Sequence, residues 1–190
     1  MESMNQKVRT VIVTDLDGTL LDKQTYSHHE ARTALYAVQH RRIPVVFCSS
    51  KTRAEQAAHR RMLGIRDPFI VEDGGAILVE EGYFTFDFPY HRTIENLRVI
   101  ELGVPYDVVR EAVDDVRSAA GIAIRGYGDM TADEVAGATG LDPAAAALAM
   151  KREYEETLVS VHEPDELERL ASAFEERGLR LTKGGRFLAV

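Results

Sequence analysis

Val11-Ile12-Val13-Thr14-Asp15-Leu16-Asp17-Gly18-Thr19-Leu20-Leu21-Asp22 is the stretch on which the reading of this chain turns. Val8 to Thr14 is β-branched and almost uncharged, which predicts a short buried strand. Asp15 and Asp17 follow at its C-terminal end, at positions i and i+2. Carboxylates that close raise each other's pKa unless a cation sits between them. A hard divalent ion such as Mg2+ fits, because it takes carboxylate and carbonyl oxygens and keeps waters that a phosphate can replace. Gly18 lets the chain turn sharply beside such an ion. An ordinary Asp-Gly turn is the plain alternative. The apolar strand before it and Leu20-Leu21 after it favour the functional reading.

Working outward, the chain alternates strand and helix. Ser27-His28-His29-Glu30 has the form of a capping box, followed by Ala31, Ala34, Leu35 and Val38 at helical spacing. Ile43 to Cys48 is a second buried run and ends at Ser49-Ser50-Lys51. Thr52-Arg53-Ala54-Glu55 is another capping box, opening a helix that should stop near Gly64. Phe69 to Val71, the turn Glu72-Asp73-Gly74-Gly75, and Ala76 to Val79 come next. This order predicts a parallel α/β sheet with Gly-rich turns at its strand ends, where such folds place their sites.

From about residue 88 the texture becomes α+β. Arg98 to Leu102 reads as a strand, Val108, Val109, Ala112, Val113 and Val116 mark an amphipathic helix, and Ile122 to Ile124 reads as a short strand. Thr131 to Glu134 caps one short helix, and Asp142 with Pro143 starts another. Leu158 to Val161 reads as a strand and Pro164 starts a helix. A Gly184-Gly185 turn leads into Arg186 to Val190.

Composition excludes several classes of function. The chain has 190 residues, 23 Lys and Arg against 31 Asp and Glu, and a net charge of −8. With no basic run longer than a pair, nucleic acid is not expected as a partner. No apolar run approaches the ~18 residues of a membrane span, and the first residues lack the apolar core of a leader. The lone Cys48 can form no internal disulfide, so the expected compartment is the cytoplasm. Cys48 also lacks the C-x5-R spacing of cysteine phosphatases, since Arg53 falls one residue short. No P-loop run is present.

The opening stretch resembles the first motif of the haloacid dehalogenase-like phosphatase superfamily. That resemblance implies Asp15 as the nucleophile that attacks phosphorus, and Asp17 as the group that protonates the leaving oxygen and then activates water. Mg2+ would sit on the Asp15 carboxylate and the Asp17 main-chain carbonyl. Ser49 matches the hydroxyl of the second motif, with Lys51 two residues on. The helix opening at Thr52 adds main-chain N–H groups and the positive end of its dipole. Plain helix capping is the competing reading for these hydroxyl residues.

Further segments narrow the resemblance. FCSSKTRAEQ, FIVEDGGAI, RGYGDMTADEVAGATGLD and AMKREYEE, in this order, are similar to the mannosyl-3-phosphoglycerate phosphatase family. The implied fold is a Rossmannoid parallel sheet with an α+β cap of C2 type: residues 1–87 as the N-terminal half of the core and 88–190 as the cap. The implied function is a Mg2+-dependent phosphomonoesterase acting on a small-molecule sugar-phosphoglycerate through an aspartyl-phosphate. Another sugar-phosphate phosphatase or a phosphomutase stands as the alternative within that fold, and a non-catalytic binding module that keeps the cap and the first two motifs as the alternative of a different class. A ligand with phosphate, carboxylate and hydroxyls calls for arginine, lysine and carboxylates. The substrate-binding candidates are therefore Thr19, Ser50, Arg53, Asp73, Gly74, Gly75, Arg125, Lys151 and Arg152. Asp129, Glu153 and Glu156 stand with Arg125, Lys151 and Arg152 as candidate specificity residues, with an ordinary solvated helix end as the alternative for each, and Arg186 matches a family position. Gly126 and Gly128 read as a shaped loop. The family's third-motif lysine and fourth-motif acidic pair have no match after Val161, which leads us to expect the C-terminal half of the core to be absent from this chain.

Overall fold

The computed structural model describes residues 10–160, 163–184 and 186–190. Two sheets carry the chain. The first has six strands in the order β1-β2-β3-β4-β6-β5. Its strands are β1 (Ile12–Thr14), β2 (Val45–Cys48), β3 (Phe69–Val71), β4 (Ala76–Glu80), β5 (Arg92–Ile94) and β6 (Leu97–Glu101). β1, β2 and β3 are parallel, whereas β4, β5 and β6 add on antiparallel. The α/β expectation holds for the first three strands; the Glu72 to Gly75 turn then reverses the chain, so β4 returns beside β3.

The helices α1 (Arg32–His40) and α2 (Arg53–Leu63) make the crossovers. α2 forms as its sequence dictates. Thr52 accepts from the Glu55 N–H, Glu55 reaches back to the Thr52 N–H, and Gly64 closes the helix at φ 65°. α1 starts later than expected, at Arg32, with Ala31 as an N-cap that makes no side-chain bond. Ser27 instead accepts from the His29 N–H in a local turn, so its oxygen is no longer free to cap.

β1 also departs from the sequence reading. Val8 lies outside the described residues, and within them Val11 and Val13 are exposed rather than buried. The cause is position: β1 has one hydrogen-bonded neighbour and forms the sheet edge. Leu16, Leu21, Val45, Phe47, Phe69, Leu78 and Val99 make the buried core of this unit.

The second sheet has the order β7-β9-β8: β7 (Thr157–Leu158), β8 (Thr182–Gly184) and β9 (Phe187–Ala189). Val161 and Gly185 of the expected strand and turn lie outside the described residues. α3 (Tyr106–Ala120) and α6 (Pro164–Glu175) pack together here through Val109, Val113, Val116, Leu170 and Phe174. Ile122 and Ile124 are buried in this core but form no strand. The segment docks beside β7 where the Arg125 carbonyl accepts from the Val159 N–H, the Arg125 N–H donates to Ser160 Oγ and Gly126 bridges Leu158. α4 (Ala132–Thr139) and α5 (Pro143–Ala149) start at Thr131 and Asp142 with the expected caps.

A division at 87/88 cuts across the first sheet, because β5 and β6 pair with β4 by hydrogen bonds. At the level of sheets the change of unit falls after Glu101. No helix among the described residues is long and apolar enough to cross a membrane.

Candidate active site

The three parallel strands end on the same side of the sheet, and each end carries chemistry. Asp15 follows β1, Ser49 follows β2, and Glu72 and Asp73 follow β3. After β1 the chain winds around one carbonyl: Leu16 O accepts from the N–H groups of Thr19, Leu20 and Leu21. Gly18 sits in this turn at φ 73°. Leu16 and Leu21 are buried, which leaves the flanking Asp15 and Asp17 exposed on the outer side of the turn. Asp15 Oδ1 accepts from the Leu16 N–H at 2.6 Å.

Lys51 bridges two loops. Its Nζ lies 2.9 Å from Asp17 Oδ2 and 3.5 Å from Glu55 Oε1, with the Tyr26 ring 5.2 Å away. Burial works against the ammonium, but Glu55 and Asp17 outweigh it and hold the Lys51 pKa above its ordinary value. Ser49 is buried, and its Oγ accepts the Lys51 N–H at 3.4 Å. Asp73 is pushed up by burial, opposed by Arg152, and pushed further by the Asp15 charge. The Cys48 thiol pKa is raised by burial and then by Asp73 and Asp15, the direction that disfavours a thiolate.

Asp15 and Asp17 supply hard oxygen donors, which suits a cation that keeps part of its water shell. Among the described residues no group of three or more His, Cys, Asp or Glu is placed to hold a metal. The two carboxylates are the kind of donor that a hard divalent cation such as Mg2+ takes.

Other candidates from the sequence are brought to this region but used within the protein. Glu153 of the strap between α5 and β7 pairs with Arg53 Nε at 2.7 Å. Arg152 donates to the Ser50 carbonyl at 2.8 Å and to Thr157 Oγ1 at 2.7 Å. Gly75 is needed for packing, since a Cβ there would lie 2.5 Å from Tyr154 Cβ. Gly74 takes φ 103°, and Thr19 and Ser50 are exposed in their turns. Lys151 is exposed and makes no ion pair among the described residues. Arg125 pairs with Glu134 at the start of α4, and Arg186 donates to the Ala138 and Thr139 carbonyls at its end.

Gly126 and Gly128 do form a shaped loop, and what it cradles is internal. The Tyr127 and Gly128 N–H groups donate to the fully buried Glu156 carboxylate, which also accepts from Tyr106 and Arg110. Asp129 is held by Arg110 and Arg117. Sequence reasoning missed Glu72. Its buried carboxylate accepts from the N–H groups of Glu153, Tyr154 and Glu155, at 2.8 Å from Tyr154. Neither contact is local, so no short motif could announce it. The Lys51–Glu55 pair, at i and i+4, was readable.

A model of haloacid dehalogenase-like hydrolases matches residues 12–100. The chain is 35% identical over 180 residues to the mannosyl-3-phosphoglycerate phosphatase of Pyrococcus horikoshii, covering 95% of this chain and 70% of that protein. The chain belongs to the mannosyl-3-phosphoglycerate phosphatase family of haloacid dehalogenase-like hydrolases. It is also 39% identical over 180 residues to a glucosyl-3-phosphoglycerate/mannosyl-3-phosphoglycerate phosphatase of Methanococcoides burtonii, covering 95% of this chain and 66% of that one. This family member thus spans about two thirds of the length of these relatives. Its fold resembles that of the Thermoplasma acidophilum protein 0175, with a TM-score of 0.62 at 14% identity over 95% of this chain and 63% of that one. A phosphatase of the same superfamily from Bacteroides thetaiotaomicron gives a TM-score of 0.61 at 16% identity, covering 100% of this chain and 68% of that one.

Proposed function

We propose that the protein is a phosphoric monoester hydrolase for a sugar-3-phosphoglycerate, mannosyl-3-phosphoglycerate above all, working in the cytoplasm. The observation that carries this is the Lys51–Asp17 ion pair, which joins the strand end that carries Asp15 to the strand end that carries Ser49. The family membership of the chain supports the choice of substrate.

Asp15 is exposed and takes the nucleophile's part: a carboxylate oxygen forms a bond to phosphorus while the bond from phosphorus to the glycerate oxygen breaks. Asp17 gives its proton to that leaving oxygen. In the second half Asp17 takes a proton from water, the water oxygen bonds to phosphorus, and phosphate leaves Asp15 free. Bound Mg2+, held by Asp15 and the Asp17 carbonyl, would offset the repulsion between carboxylate and phosphate. Ser49 and the N–H groups opening α2 receive the phosphoryl oxygens, and the Lys51 charge favours their binding.

The test is phosphate release by the purified chain from mannosyl-3-phosphoglycerate, its glucosyl counterpart and a panel of other sugar phosphates, with Mg2+ present. Release from the phosphoglycerates that disappears in Asp15→Asn supports the reading. Release from other sugar phosphates alone overturns the substrate. Ligand binding with no Mg2+-dependent release makes the chain a binding module.

A further inference from the structure

The loop between β2 and α2 is held by its carbonyls. Ser49 O accepts from the Asp73 N–H at 3.4 Å, and Lys51 O accepts from the Glu72 N–H and from Gln56 Nε2, each at 3.2 Å. These donors belong to the first unit. The Ser50 carbonyl is different, for its donor is Arg152 Nη1 at 2.8 Å, from the strap that leads into the second sheet.

A peptide unit is planar and trans, so its C=O and N–H point in opposite directions. Whatever fixes the Ser50 carbonyl therefore also aims the Lys51 N–H. That N–H meets Ser49 Oγ at 3.4 Å, a distance at which a hydrogen bond is weak. It is thus largely available, with the Ser49 hydroxyl, to an incoming oxyanion.

Arg152 is built to hold this position. Its side chain is 7% exposed, Nη2 is anchored on Thr157, Nη1 also reaches Glu155 at 3.2 Å, and the Tyr127 ring lies 5.6 Å from its guanidinium carbon. The strap around it is fastened in turn by Glu72 to the three N–H groups that follow.

We propose that Arg152 is a positioning residue of the phosphate-binding loop: by gripping the Ser50 carbonyl it aims the Lys51 amide, and it makes the anion site depend on the seating of the second unit. This rests on the phosphatase reading, in which the loop receives the phosphoryl group. Coupling of this kind is reciprocal, so an anion in the loop also tightens the strap.

Inorganic phosphate with Mg2+ is titrated into the 190-residue chain while backbone amides are followed by NMR. The unaltered chain and Glu155→Gln, which keeps the Ser50 contact, bind alike. The double variant Arg152→Met with Glu155→Gln removes the cation together with its acidic neighbour and binds about tenfold more weakly, the change expected for one lost directional contact of ~1.4 kcal/mol. Its Lys51 amide no longer responds to phosphate as in the unaltered chain. A folded double variant with unaltered affinity and an unaltered Lys51 response overturns the proposal.

Hydrogen exchange on the unaltered chain supplies a test that needs no variant to fold. Phosphate slows exchange at Glu153, Tyr154 and Glu155 as well as at Lys51. Slowing confined to the loop overturns the coupling and leaves the phosphatase reading intact. No phosphate binding by the unaltered chain overturns the anion site and the coupling together.

Discussion

Lys51 Nζ lies 2.9 Å from Asp17 Oδ2, so the loop after β1 and the start of α2 are joined through one ammonium that is only 9% exposed. Asp17 is 40% exposed, so water screens its share, and the more buried Glu55 depends more on the cation. Lys51→Met should destabilise the fold by about 2–4 kcal/mol, somewhat under the range for one partner of a fully buried pair. Because the folded pKa of Lys51 is raised, its contribution is complete below the unfolded lysine value near ~10.4 and is lost as pH rises through the folded value. Urea unfolding near pH ~8 and at increasing pH above 10.5 should show the gap between the two proteins narrowing as the raised Lys51 value is passed.

Glu155 gives a slope of the opposite origin. Burial pushes its carboxyl up to about 8, opposed by Arg152 and reinforced by Asp73, Glu72 and Glu156. Between the ordinary glutamate value of 4.5 and about 8 the folded protein keeps a proton that the unfolded chain releases. Stability attributable to this group therefore falls as pH rises through that window, by at most about 1.4 kcal/mol per pH unit. Glu155→Gln should flatten the pH dependence of the urea midpoint across this range. An unchanged slope would show that Glu155 titrates normally.

Gly126→Ala isolates a steric contact from a backbone effect. Gly126 has φ −110°, which alanine adopts freely, yet a Cβ would fall 2.6 Å from Glu156 Cδ. We expect a loss of about 1–3 kcal/mol in equilibrium unfolding, typical of overpacking against a group that cannot move. Gly137→Ala, where no atom lies within 4 Å of the added carbon, should by contrast be neutral or slightly stabilising.

Glu72→Ala removes the shared acceptor of three N–H groups on the strap. Leaving buried donors unpaired costs about 1–3 kcal/mol each, less whatever water restores. The expected result is a loss of at least about 2 kcal/mol in unfolding, with faster proteolysis between residues 150 and 156. Unchanged proteolysis there would argue that the strap is held by its arginines alone.

The parts legible in the sequence are those whose signals are short-ranged. The Asp15 turn, the capping boxes at Thr52 and Thr131, the Asp142-Pro143 start and the Gly64 stop all depend on residues within a few positions of each other. Lys51 stood in the sequence as a candidate at the end of the second strand, and its ion pair with Asp17 across two parallel strand ends comes from the fold. What stayed hidden depends on distant partners. Arg152 read as a ligand for an anion, but within the chain it faces Glu155 and Glu72, and its hydrogen bonds go to the Ser50 carbonyl, Glu155 and Thr157. Glu156 read as a substrate residue and is instead the buried counter-ion of Arg110. The same residue types serve recognition and internal pairing, and only the fold decides between them. Ser27 failed as a helix start for a similar reason, since a closer N–H had already taken its oxygen.

Tyr154 is the one member of the first unit's buried core, as described, that lies beyond residue 99 in the chain. During synthesis the β1–β6 sheet is therefore complete long before the ring that closes over Gly75 has left the ribosome. The sheet must wait, with its Gly75 face open, until α3, α4 and α5 have followed. Once Tyr154 is seated, the second unit cannot lift away without uncovering Gly75 and this part of the first unit's core. At equilibrium the chain should thus unfold as one cooperative step, although its two sheets share no strand.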